Sequence, residues 1–125
     1  MCMTVNRLDP PYPDLPDADR EAADAAVADL LALLGKRHTL AILYLFARDS
    51  GPWRFGELES RLNLSPTTLS DRLAELTARG FLDRTDHEDV PPRVEYVATE
   101  RAEALKPAFG HLYGWCREYG QGVRH

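Results

Sequence analysis

Apolar residues recur along this chain in five stretches at helical spacing and two that alternate, with Gly, Pro and Asp at the breaks. Asp17 or Asp19 can cap a first helix whose apolar face runs through Ala23, Val27, Leu30, Leu31 and Leu34, ending near Gly35. Arg37 through Arg48 reads as a second helix, apolar almost all round from Leu40 to Ala47, and such a helix belongs in the core. Asp49-Ser50-Gly51-Pro52 breaks the chain, and Phe55, Leu58 and Leu62 give a short third helix. A tight connection through Asn63 and Leu64 leads into a fourth, from about Pro66 to Arg79, which stops at Gly80. Phe81 to Thr85 and Val94 to Ala98 alternate like two strands, separated by residues 86–92. Thr99 can cap a closing helix in which Leu105, Phe109, Leu112, Cys116 and Tyr119 are spaced alternately by four and three, a coiled-coil-like seam that Pro107 should kink or split. The pattern therefore predicts a mainly α fold with a small β-hairpin (α+β), in which a helix-turn-helix is followed by a wing.

The fourth helix carries the candidate chemistry. Ser65 can accept a hydrogen bond from a first-turn N–H, and Pro66 suits the first helical position, where its missing N–H costs nothing. Leu69, Leu73 and Leu76 share one face, while Thr67, Thr68, Ser70, Asp71 and Arg72 lie largely off it. A small polar face on a braced helix suits a DNA groove; an ordinary solvated surface helix is the alternative reading of the same pattern.

Composition bounds this picture. A chain of 125 residues, 44% hydrophobic and 28% charged, fits one globular domain at residues 17–125, preceded by a flexible Pro-rich arm at residues 1–16. No apolar run approaches a membrane span, and the first residues lack the apolar core of a secretory signal, so no membrane partner and a cytoplasmic location are expected. The net charge of −5 argues against nucleic acid only until it is divided: residues 1–35 carry −5, whereas residues 36–85, around the helix-turn-helix, carry +2. This small excess permits DNA binding without establishing it. Arg and Asp are abundant and only Lys36 and Lys106 are lysines, which fits either a high-salt cytoplasm or GC-rich codon usage.

From Val27 to Gly120 the chain resembles the HxlR-type family of winged helix-turn-helix transcription regulators. The resemblance rests on Gly35-Lys36, Ile42-Leu43-Tyr44-Leu45, Arg54-Phe55-Gly56-Glu57-Leu58 and Gly80-Phe81-Leu82-Asp83-Arg84. Most specific is Val90-Pro91-Pro92-Arg93-Val94-Glu95-Tyr96, followed by Thr99-Glu100. It implies a homodimer held by N- and C-terminal helices, with the helix from Pro66 in the major groove and the wing around Arg93 on backbone or minor groove. Two such helices about 34 Å apart would read a pseudo-palindromic operator. On this reading Ser65, Pro66, Thr67, Thr68, Ser70, Asp71 and Arg72 approach DNA at phosphates or bases, and Lys36, Arg54 and Arg93 meet phosphates. Leu105, Phe109, Leu112, Cys116 and Tyr119 would form the dimer seam. The effector is unknown.

Members of that family often carry basic residues where Thr67 and Ala74 stand, so a weaker electrostatic grip is expected here. Some sense oxidants through a cysteine shortly before the first core helix, and this chain has none there. Cys116 can be either a small apolar seam residue or a redox cross-link. An enzyme is not expected: His38, His87, His111 and His125 form no metal-ligand pair and no triad, and no cofactor is implied. The remaining rival is a winged-helix protein-interaction module that has lost specific DNA binding, a reading favoured by the acidic arm and Asp71.

Overall fold

A computed structural model describes residues 17–120; the Pro-rich arm at residues 1–16, Cys2 and His125 lie outside them. The chain divides into two compact units at the Gly35–Lys36 junction. The first contains helix α1 (Asp17–Leu34), with Asp17 and Asp19 in its first turn, where carboxylates favour the unpaired N–H groups. On the expected apolar face of α1, Val27 and Leu31 are exposed.

The second unit runs α2 (Thr39–Arg48), β1 (Trp53–Arg54), α3 (Phe55–Leu62), α4 (Pro66–Ala78), β2 (Leu82–His87), β3 (Arg93–Ala98), α5 (Glu100–Glu103) and α6 (Lys106–Tyr119). Helix α2 starts at Thr39 instead of Arg37 because His38 adopts a left-handed conformation, φ 73°. As its all-round apolarity requires, α2 is central: Ile42, Leu43, Leu45 and Phe46 are buried, and the helix contacts α5, α6 and β3. Leu58 of α3 and Leu69, Leu73 and Leu76 of α4 complete this core, each fully excluded from solvent and each contributing about 1.5–3 kcal/mol of burial.

The sheet is three-stranded and antiparallel, in the order β1-β3-β2. The hairpin register pairs Leu82 with Ala98, Arg84 with Tyr96 and His87 with Arg93. Strand β1, which the alternation pattern did not reveal, pairs Trp53 with Tyr96 and Arg54 with Glu95. Its two residues are too few to show a period of two.

Two glycines set the path of this unit. Gly80, φ 85°, ends α4: the Phe81 N–H reaches the Leu76 carbonyl at 2.9 Å and the Gly80 N–H reaches that of Thr77 at 3.1 Å, a Schellman pair. Gly51, φ 103°, lies so close to β3 that a Cβ would sit 2.8 Å from the Tyr96 carbonyl and 3.1 Å from the Trp53 nitrogen. Gly51→Ala therefore combines a disfavoured φ with a backbone clash, and is expected to cost about 2–4 kcal/mol in urea unfolding. A loss below about 0.5 kcal/mol, the size of an ordinary surface substitution, would contradict this account.

The closing helix breaks as Pro107 implies. Four-residue α5, capped by Thr99 through the Ala102 N–H at 3.3 Å, ends at Ala104, and α6 restarts with Pro107 in its first turn. No single helix among the described residues is long and apolar enough to cross a membrane.

Candidate nucleic-acid interface

Helices α3 and α4 form the helix-turn-helix. Asn63, left-handed at φ 56°, ends α3; Leu64 spans the turn, and Ser65 caps α4. The Ser65 Oγ accepts from the Thr68 N–H at 3.2 Å and lies 3.0 Å from the Thr68 hydroxyl. Ser65, Pro66 and half-buried Thr68 thus start the helix, and much of their bonding capacity is spent on that task.

Opposite the buried leucines, Thr67, Ser70, Asp71, Ala74 and Ala78 are exposed at spacings of three and four. This stripe is the exposed face of α4, and it contains no basic residue. Arg72 is not on it. Its side chain is half-buried and turns back, Nε donating to the Arg37 carbonyl at 2.8 Å. Beside it opens a polar cleft of about 390 Å³ lined by Arg37, His38, Asn63, Ser65, Thr68 and Arg72. Arg37, His38 and Asn63 were missed as site residues because Arg37 and His38 read as the start of a core helix. The signal that could have found them is Asn63, a residue suited to a left-handed turn.

The basic residues expected to grip phosphate differ in their freedom. Lys36 is engaged by Glu75 of α4 at 2.6 Å, so it braces that helix instead of standing as an open cation. Arg93 is likewise not free: Nη1 donates to Asp89, and Nε lies 3.3 Å from Glu95. Glu95 also lies 2.8 Å from His87 Nε2. Partial burial works to raise the Glu95 carboxyl, but hydrogen bonds and charge from His87 and Arg93 outweigh it, holding the group below its ordinary value. With Asp83, Asp86, Glu88, Asp89 and Glu95 against Arg84 and Arg93, the wing is acidic, and Arg84 is itself 3.1 Å from Asp86. Arg54 is exposed; its backbone N–H donates to Glu57 at 2.8 Å, and it borders a hollow of about 300 Å³ with Pro92, Arg93 and Val94.

The expected dimer seam needs correction at its start. Phe109 is 3% exposed, buried within its own subunit, and half-buried Leu105 precedes α6. Phe109 is therefore not available to a partner as an exposed seam residue. Tyr113 stacks on Tyr44 of α2, ring centroids 4.2 Å apart. Besides Tyr113, itself still 40% exposed, the large apolar residues of α6 facing out are Leu112, Trp115 and Tyr119, within about 60° of arc on the helix, with Cys116 exposed beside them. Trp115, absent from the expected seam, is exposed on the same side of α6 as Leu112 and Tyr119.

Comparison with known proteins agrees with this geometry. The HxlR-like helix-turn-helix family matches residues 33–123. An uncharacterized HTH-type transcriptional regulator of Halalkalibacterium halodurans is 40% identical over 86 residues, covering 68% of this chain and 75% of that one. YvaP, an uncharacterized HTH-type transcriptional regulator of Bacillus subtilis, is 36% identical over 88 residues, 70% of this chain and 80% of its own. Among solved structures, the reduced form of the transcriptional regulator YodB from B. subtilis superposes with a TM-score of 0.68 at 28% identity, covering 76% of this chain and 92% of YodB. The transcriptional regulator HlyU from Vibrio vulnificus gives 0.63 at 26% identity, with 79% and 99% covered. With its helix-turn-helix, its wing and this match over most of its length, the chain belongs to the HxlR-like helix-turn-helix family and is a transcription regulator, not an enzyme.

Proposed function

We propose that this regulator acts in the cytoplasm as a homodimer that binds a pseudo-palindromic duplex operator, the exposed stripe of α4 entering the major groove of each half-site. The observation that carries this reading is the exposed stripe of Thr67, Ser70 and Asp71, flanked by small Ala74 and held rigidly by three fully buried leucines behind it. Hydroxyls at Thr67 and Ser70 can donate to or accept from base edges, and the Asp71 carboxylate can accept from a cytosine amino group. Arg54, beside the wing, supplies a phosphate contact. Subunits pair through Leu112, Trp115 and Tyr119 of α6, since three large apolar side chains exposed together on one side of a helix suit an interface.

One observation favours a second reading. The acidic wing and the lack of basic residues on the α4 stripe suit a protein-interaction module better than a strong DNA binder. Selection of bound duplexes from a random-sequence pool by the full-length protein, followed by titration across KCl concentrations, separates the two. Enrichment of an inverted repeat with half-sites one helical turn apart supports the operator reading. Failure to enrich any sequence, even at low salt, leaves the interaction module.

A further inference from the structure

We infer that Arg72 holds a backbone phosphate and does not read a base, and that the cleft it shares with Arg37 is the phosphate seat that compensates for a recognition helix without basic residues. This assignment rests on the reading of α4 as the DNA-contacting helix. An arginine that reads guanine must extend from the helix into the groove and present a fork to the base edge. Arg72 instead folds back, its Nε fixed on the Arg37 carbonyl at 2.8 Å, away from the stripe of Thr67, Ser70 and Asp71. The anchor fixes the guanidinium plane and leaves both Nη groups to donate, so less rotamer freedom is lost when an anion arrives.

The surroundings also favour an anion. Among the described residues no carboxylate pairs with Arg37 or Arg72, and the two residues line one polar cleft with His38, Asn63, Ser65 and Thr68. Several other cations of this unit are occupied: Lys36 by Glu75, Arg93 by Asp89 and Glu95, Arg84 by Asp86, Lys106 by Glu103. Arg61 lies over the Trp53 ring at 5.9 Å, and Arg101 donates to the Arg79 carbonyl at 2.9 Å. A cleft lined by two arginines that no carboxylate neutralises attracts a phosphodiester more strongly than any of these. Sequence selectivity then falls to the short polar side chains of the stripe.

The test uses the full-length protein and the duplex it selects from a random pool, with every single-base-pair variant of one half-site, titrated from 50 to 300 mM KCl. Arg72→Ala is expected to weaken binding to all these duplexes by a common factor of about tenfold, and to reduce the slope of log K against log salt by about 0.9 per subunit. Arg72→Lys keeps the charge and should retain the slope. Arg37→Ala, whose side chain forms no hydrogen bond among the described residues and which keeps the carbonyl that anchors Arg72, should repeat the pattern more weakly and carries the test if Arg72→Ala does not fold. Replacing single phosphates by methylphosphonate should reveal one position per half-site that weakens the parent protein but not Arg72→Ala. Loss of discrimination at one base pair in Arg72→Ala, with the salt slope unchanged, would overturn the assignment while leaving DNA binding intact. If the parent protein selects no duplex, the DNA-binding reading itself fails and the phosphate seat with it.

Discussion

A Leu112→Asp, Trp115→Asp variant is expected to be monomeric by light scattering at concentrations where the parent protein is a dimer, and to bind its operator at least about 100-fold more weakly, because one half-site no longer raises the effective concentration at the other. Both side chains are exposed on the isolated subunit, 46% and 56%, so nothing inside it is lost and the helical circular dichroism should be unchanged. Two carboxylates placed on each copy of a self-complementary stripe oppose two more across the symmetry axis, and burying them unpaired is costly. Phe109→Ala gives the contrasting result. It removes a ring that fills the subunit's own core and is expected to cost about 3–5 kcal/mol of stability. A double variant that remains dimeric would remove α6 as the seam, and a Phe109→Ala protein of full stability would return Phe109 to it.

That contrast shows which parts of the molecule a pattern of residues can disclose. Helix α4 was legible because three local signals agree within sixteen residues: the Ser65-Pro66 start, the Leu69, Leu73 and Leu76 face, and the Gly80 stop. The all-apolar α2 was legible because burial on every side leaves no other arrangement. The α6 seam was only half legible. Spacing places Phe109 and Leu112 on adjoining faces, but whether a face meets the same chain or a second copy depends on where α2 lies, which periodicity does not contain.

The candidate site divides in the same way. Residue types along α4 identify the exposed stripe, since side-chain direction on a helix follows from the backbone. The partners of charged side chains come from tertiary structure. Glu75 is 39 positions from Lys36, and Arg37 is 35 from Arg72, so neither the loss of Lys36 as an open cation nor the anchoring of Arg72 follows from local sequence. Arg93 is the exception, as Asp89 and Glu95 are near neighbours in the chain.

The wing provides the second large effect. If Arg93 is withheld from phosphate by Asp89 and Glu95, a variant with Asp89→Asn and Glu95→Gln should bind operator DNA about tenfold more tightly at 50 mM KCl, with a salt slope steeper by about 0.9 per subunit. The gain has two sources: a guanidinium group freed for one further phosphate contact, and two negative charges removed from a surface that approaches DNA. Because salt screens both, the advantage should shrink toward 300 mM. Acidification is not an equivalent route. The Glu95 carboxyl is held below its ordinary value of 4.5, so its contribution to wing stability is fully present above that pH and is lost only as pH falls through the lowered value. Between pH 6 and 8 the carboxylate therefore stays charged, and the parent protein's affinity should show no rise attributable to Glu95. Equal affinity and equal salt slope for the double variant and its parent would mean that Arg93 does not reach DNA even when released, and that the wing acts only as a prop for α4.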